Sequence, residues 1–545
     1  MRWTRIVESR PRVSLPLSCG IRSPLTAISL EPTRPPATAL FTGLAVFVSA
    51  AFLCSVPVSW FHPQWGSFRT AGIALCGVVL LTLAVQRRFA KGDLRASLPR
   101  WALGLFWGSA LVYFVAATVS RFGAFAINGI DFSIFDWMLE STLRGRFMYT
   151  PIYRVNHFSV HPSYVMLLLV PLHALWRSPA MLLVFGAGLV WAAGIPLWQL
   201  AMAETGEEGI ALLAVVALWG NPWTASLTAG GFRIESFYPL GVLLLLSGWV
   251  RSKPVTFWAG AVLLLSIKED AALYLGAFAV GGLLFDRARW RELLGLLAAS
   301  LAVLVVDVKF VQPLASAAGR APGYVKFWAG YGASMPEVAW TALGHPGRVV
   351  WDVVRSAWWR FFGPALFLPL LEVRSLFAVA PGMLMLGMAS YPMMRGYLGY
   401  YAVPMVGFAF WGILRFAGRP SPVARGAGVA ALLLFPIIGG GQLLTPKPDW
   451  AALRGIAAAR RRLNGSSNPV CVQTVLFPHL PYTLDLHALN ARCLGEPGAV
   501  ALVALDADPI PYTRSELVQR VATARANGRA EAFEGGIYLL GPAPR

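Results

Sequence analysis

The sequence predicts an all-α polytopic membrane protein carrying a small α/β domain at its C-terminal end. Three observations lead there. Of 545 residues, 57% are hydrophobic and only 13% charged, about half the charge of an ordinary soluble domain. Apolar runs near the ~20 residues that span a bilayer recur along the chain. Basic residues fall in short clusters between those runs, the positive-inside pattern, and this accounts for the net charge of +20. Nucleic-acid binding is excluded as the meaning of that charge, because no soluble basic domain exists to carry it.

Residues 1–38 hold Arg2, Arg5, Arg10, Arg12, Arg22 and Arg34 among several prolines, with no apolar run. They read as a disordered basic cytoplasmic arm; the apolar core of a cleaved signal would come sooner. Residues 39–445 read as the membrane domain, opening with apolar segments at 39–60, 70–86 and 101–120. The basic stretch from Arg87 to Arg100 reads as cytoplasmic, so the third segment delivers an outer loop, 122–179, to the far side. The apolar stretch 164–176 is short and contains Pro171 and His173. If it spanned, the later clusters at Arg251/Lys253, Arg287 to Arg291 and Arg415 to Arg425 would all fall outside. Lying along the outer surface it puts them inside, and the Lys/Arg bias favours that arrangement.

Crossings at 180–203, 209–228 and 236–250 follow, with Glu204, Glu207 and Glu208 read as solvated on the cytoplasmic side. The run 254–285 would stretch about 48 Å as one helix, too long for a ~30 Å hydrocarbon core. It reads as a hairpin with Lys268-Glu269-Asp270 at its outer turn. A crossing at 292–310 leads to a second outer loop, 311–358, whose Trp and Tyr residues suit a membrane interface. Segments at 361–373, 375–391, 400–416 and 426–445 bring the total to about thirteen crossings, N-terminus in and C-terminus out.

Residues 446–545 have soluble character and read as an extracytoplasmic α/β domain. Val470 to Leu476, Val500 to Leu505 and Gly536 to Leu540 read as short strands. Ser515 to Arg525 reads as a helix capped by Ser515. Cys471 and Cys493 form a disulfide if this domain is exported to an oxidising compartment, and otherwise stay as two thiols.

This topology gathers the unusual polar residues at one membrane level, and ionisable groups there are expensive enough to imply function. Asp131 and Asp136 sit among Phe132, Ile134, Phe135 and Trp137, walls that suit a general base or the anchor of a divalent cation as cofactor. His157 and His161 have the i, i+4 spacing of a metal pair, but Pro162 and the lack of a third ligand favour substrate hydrogen bonding, with Asn156 beside them. Lys268 suits a phosphate as a point charge. Arg233 and Arg395 suit one as bidentate partners. Glu235, Glu269, Asp270 and Tyr400 complete the set as supporting residues.

Ile-Asp-Phe-Ser-Ile-Phe-Asp-Trp (130–137), Asn-His-Phe-Ser-Val-His-Pro-Ser (156–163) and Ile-Lys-Glu-Asp-Ala (267–271) resemble signatures of a large prokaryotic family of polytopic membrane proteins. That family is catalogued as a domain of unknown function and is itself similar to the GT-C glycosyltransferases. The resemblance covers roughly residues 100–500. It implies a GT-C-like membrane domain with a catalytic Asp in the first outer loop, a membrane-parallel helix after it, and a polyprenyl-phosphate-linked sugar donor. By position Asp131 is the catalytic candidate and Asp136 the second, with the Lys268 turn near the donor phosphate. Two positions depart from the pattern: Phe232-Arg-Ile-Glu235 replaces Phe-His-Pro-Glu, and Tyr400 stands where a His often precedes Tyr.

The resulting expectation is an integral membrane glycosyltransferase working at the outer face, with membrane lipid and a lipid-linked sugar as its partners. The rivals are a transporter or flippase of a lipid-linked or anionic solute, which needs a continuous polar path and usually repeated halves, and a non-catalytic envelope scaffold.

Overall fold

The computed structural model describes residues 36–61, 98–286, 289–316, 323–439, 445–466, 468–507 and 512–542. The basic arm up to residue 35, the apolar segment at 70–86 and the basic stretch that follows it to residue 97 lie outside them.

The chain is mostly helical. Its first described helices are α1 (Pro36–Phe61) and α2 (Arg100–Gly123). Next come α3 (Gly129–Leu143), a hairpin of β1 (Tyr149–Thr150) and β2 (Val155–Asn156), and the short α4 (Leu169–Leu175). The membrane bundle continues with α5 (Pro179–Ala192), α6 (Gly194–Thr205), α7 (Glu208–Trp219), α8 (Pro222–Ala229), α9 (Phe237–Val250), α10 (Pro254–Leu265), α11 (Ala271–Phe285) and α12 (Trp290–Val306). Among the described residues five helical stretches are long and apolar enough to cross a membrane: 100–123, 179–205, 290–315, 399–417 and 422–439. A sixth is the pair α7–α8, bent by 51°. The bend has a local cause. Pro222 cannot continue the ladder of α7, and Asn221 starts a new helix by accepting from the Trp223 and Thr224 N–H groups.

The 254–285 run is two helices, α10 and α11, joined by a turn at 266–270. Close backbone contact fixes α9 against α10. A Cβ on Gly248 would fall 2.2 Å from Phe257 N, and one on Gly260 would fall 2.3 Å from Leu245 N. Small residues buy such approach where lipid supplies no hydrophobic drive between helices.

Charged side chains collect at the two ends of this bundle, and α9, α10 and α11 carry none between them. One end carries Glu204, Glu207 and Glu208. There Arg415 and Trp411 bind Glu204, Arg425 binds Glu207, and Glu208 accepts from the Leu98 N–H. These three glutamates are thus partnered rather than simply solvated, because later helices bring arginines to Glu204 and Glu207 and the residues before α2 bring a backbone N–H to Glu208.

The segment expected to cross at 361–373 is not one helix. It consists of α15 (Trp358–Phe362) and α16 (Leu368–Leu371), which follow α13 (Met335–Gly344) and α14 (Pro346–Arg355). Left-handed Leu366 and Phe367 separate the two pieces. It still joins the two ends. The Ala357 N–H bonds the Arg395 carbonyl at 3.1 Å at one end, and Glu372 pairs with Arg419 at 3.6 Å at the other. Irregular backbone at such depth requires protein around it, and Phe361, Phe362, Ala365 and Leu368 are buried. The bundle closes with α17 (Val373–Met388), α18 (Val403–Ala417) and α19 (Pro422–Gly439).

The C-terminal unit holds α20 (Trp450–Leu463), α21 (Arg514–Ala526) and a small five-stranded sheet. Its strands are β3 (Val470–Val472), β4 (Leu486–Ala488), β5 (Val500–Ala504), β6 (Ala530–Phe533) and β7 (Ile537–Leu540), in spatial order β4-β3-β5-β7-β6. β3 runs parallel to both β4 and β5, whereas β7 is antiparallel to β5 and β6. The strand expected to reach Leu476 stops at Val472 and becomes a 3-10 helix over Thr474–His479. The cap of α21 is Thr513, in a capping box with Glu516. Ser515 lies inside the helix. Cys471 and Cys493 are disulfide-bonded.

Candidate active site

At the end of the bundle opposite Arg415, Arg419 and Arg425, four segments converge: α3, the loop 156–163, the α8–α9 junction and the α10–α11 turn. Asn128 sets the start of α3 by accepting from the Asp131 N–H at 3.1 Å. Asp131 therefore sits in the first turn, where the helix dipole favours a carboxylate. Its side chain is 28% exposed and lies 3.1 Å from Nη1 of Arg233, which is 8% exposed. The Arg233 guanidinium stacks 3.9 Å over the Tyr400 ring, and its Nε and Nη1 make no hydrogen bond. Burial raises the Asp131 carboxyl above the usual range, Arg233 opposes that, and Glu235 adds to it.

Lys268 lies 2.9 Å from Glu235 and 3.4 Å from Asp270, and Asp270 also accepts from Tyr238. Burial alone would lower the Lys268 pKa, but these two carboxylates outweigh it and hold the ammonium charged. Beside them His161 pairs with Glu269 at 2.9 Å and stacks on Tyr324, ring centroids 5.5 Å apart. Glu269 raises His161 against the effect of its burial, while buried His157 is pushed down to about 3 and is neutral. The structure thus brings together Asp131, Arg233, Glu235, Lys268, Glu269, Asp270, His157, His161 and Tyr400.

Three expected site residues lie elsewhere. Asp136 is fully buried on another face of α3, where its Oδ1 accepts from Tyr482 of the C-terminal unit at 2.8 Å. Burial drives its pKa up to about 8; the Tyr482 bond opposes this and Glu140 reinforces it. Arg395 lies 3.5 Å from Asp352, which also accepts from Tyr331. Asn156 spends its amide within its own loop, donating to the Phe147 carbonyl and accepting from the Phe158 N–H. As for a cation, among the described residues no three His, Cys, Asp or Glu side chains converge as a ligand set.

Tyr238 and Tyr324 join the cluster without having been singled out for it. Tyr238 follows Glu235 by three residues, a helical spacing that placed both on one face. Nothing local marked Tyr324.

The stretch 164–176 stays on this side of the bundle. Val165 N–H bonds the Ser266 carbonyl in the α10–α11 turn at 2.9 Å, and Arg177 bonds Glu140 of α3. Leu168, Leu172, Leu175 and Trp176 are exposed along it.

The family model described as Predicted membrane protein (DUF2079) matches residues 121–434. No curated protein matches the chain. Among solved structures the chain is similar to ArnT from Cupriavidus metallidurans in the apo state, with a TM-score of 0.44, 13% identity, and coverage of 80% of this chain and 99% of that one. It is similar as well to ArnT from that organism bound to undecaprenyl phosphate, with a TM-score of 0.43, 10% identity, and coverage of 81% and 99%.

Proposed function

We propose that this chain, which belongs to the DUF2079 family of predicted membrane proteins, is a multi-pass membrane glycosyltransferase. It would move a sugar from a polyprenyl-phosphate donor to an acceptor hydroxyl at the outer face. The observation that carries this reading is the pairing of a part-exposed carboxylate, Asp131, with a buried guanidinium that still has N–H donors to give, Arg233.

In this proposal the donor phosphate takes Arg233 and so releases the Asp131 carboxylate. Asp131 accepts the acceptor's proton as that oxygen attacks the anomeric carbon. The bond from that carbon to the phosphate oxygen breaks, its electron pair leaves with the lipid phosphate, and the sugar configuration inverts. A base with an elevated pKa suits the task, and Arg233 stabilises the charge developing on the leaving group. Lys268 already holds two carboxylates, so its part is to fix Glu235 and Asp270.

The topology behind this reading is about thirteen crossings with the end that holds Arg415, Arg419 and Arg425 cytoplasmic. Residues 446–545 then lie outside, a setting consistent with the Cys471–Cys493 disulfide. The charge-free middles of α9, α10 and α11 count against a transport path through them.

Asp131→Asn in membranes supplied with a polyprenyl-phosphate-linked sugar tests the reading. Transfer should fall by about 10²–10⁴-fold, the usual contribution of a general base. Undiminished transfer would remove Asp131 from the mechanism.

A further inference from the structure

We infer that the polypeptide between Thr445 and Tyr482 is a positioning element for Asp131, and that Tyr482 is the residue that locks it. The inference rests on the proposed role of Asp131 only for its effect on transfer.

This stretch follows the last bundle helix and lies beyond the family-matched region. It grips the α2–α3 junction at successive points. Ser120 donates to the Pro446 carbonyl at 2.5 Å, and the Asp449 N–H bonds the Gly123 carbonyl at 3.0 Å. The His479 ring stacks on Phe122 at 4.1 Å and packs against Phe125 at 4.5 Å. Gly129, the first residue of α3, lies so close to the Thr474–His479 turn that a Cβ would fall 2.4 Å from Val475 Cα. Further along α3, Trp137 meets Phe477 and Tyr482 edge-on, and Tyr482 donates to Asp136.

Asp131 and Asp136 are five residues apart on α3, about 140° round the helix at about 100° per residue. A short helix held at Gly129 and at Asp136 has little freedom left to rotate or slide. That fixes where the Asp131 carboxylate meets Arg233, which comes from a different part of the chain. Asp136 thereby gains a role that does not touch substrate: its buried Oδ1 is the acceptor that anchors Tyr482.

Hydrogen–deuterium exchange on the full-length protein in nanodiscs tests this, comparing wild type with Tyr482→Phe and Asp136→Asn. Removing the Tyr482 hydroxyl strands a buried acceptor, so exchange across 129–143 should quicken about tenfold or more, with α9–α11 unchanged. Asp136→Asn keeps an oxygen for Tyr482 and should hold exchange within about threefold of wild type. In transfer assays Tyr482→Phe should lower kcat while leaving the donor KM nearly as it was, since Arg233 is untouched. If Tyr482→Phe is not recovered folded, His479→Leu removes the ring that the C-terminal stretch packs on Phe122 and Phe125, leaves the side chains of α3 in place, and supplies the same exchange readout. Unchanged exchange across 129–143 in the folded variant overturns the inference. Should no variant nor wild type transfer sugar, the transferase reading fails, and exchange still decides this one.

Discussion

Burial raises the Asp131 pKa, the Arg233 guanidinium lowers it and Glu235 raises it further, so the net shift is upward. A base must be ionised to accept a proton, so transfer should climb with pH through a range above the ordinary carboxylate value of about 3.9 and be lost below it. A pH profile of kcat/KM checks this, and an acid limb at or below about 4 would contradict it. Arg233→Lys keeps the charge but loses the planar fork and the stack on Tyr400. The donor KM should rise about tenfold or more, measured with lipid-linked sugar in reconstituted membranes. Asp131 was legible in the sequence from its apolar neighbours and its motif, as was the separate Lys268 turn. The Arg233–Tyr400 stack was not, because local pattern carries no information about which ring a residue far along the chain will meet.

At the scale of elements, α3 stands between the bundle and the C-terminal unit, and its two aspartates serve those two neighbours. Asp136 has a folded pKa of about 8 against an ordinary 3.8, so between those values the folded chain holds more proton than the unfolded one. Stability contributed by this contact is present at low pH and falls as pH rises from about 4 towards 8. The groups facing it are Tyr482 and Glu140, and Glu140 is itself held by Arg144, Arg177 and His173. Thermal unfolding of the C-terminal unit from its docked position should therefore shift downward between pH 5 and 8, and Asp136→Asn should flatten the shift. Equal slopes in the two proteins would refute the assignment. The sequence offered Asp136 as a second catalytic candidate, whereas its side chain meets Tyr482; the period of a helix cannot say which of two faces a carboxylate will serve. The segment 358–371 teaches a related lesson. Its apolar content matches a span, yet Pro364 and Pro369 and the left-handed Leu366 and Phe367 break it into two short helices, which only surrounding protein can tolerate.

At the scale of the whole molecule, charged pairs among the described residues of the bundle occupy two end layers, and the proposed orientation assigns the one holding Arg415, Arg419 and Arg425 to the cytoplasm. Tyr153 and Ser515 are exposed in the opposite side's loops and in the C-terminal unit, and Ser252 is exposed beside Arg251 at the end proposed as cytoplasmic. An impermeant thiol reagent applied to intact cells should label cysteines placed at Tyr153 and Ser515, and reach one at Ser252 only after permeabilisation. Labelling of Ser252→Cys from outside alongside Tyr153→Cys would reverse or collapse the topology. By itself the sequence determined the helical membrane class, the α10–α11 hairpin with Lys268-Glu269-Asp270 at its turn, and the presence of a small C-terminal sheet. Those follow from composition, run length and turn chemistry, which act over a few residues. Only the tertiary structure decided that Asp131 meets Arg233 while Asp136 meets Tyr482, and that Arg395 stands apart with Asp352. Such partnerships depend on how distant elements pack, and a buried charge takes whichever partner that packing delivers.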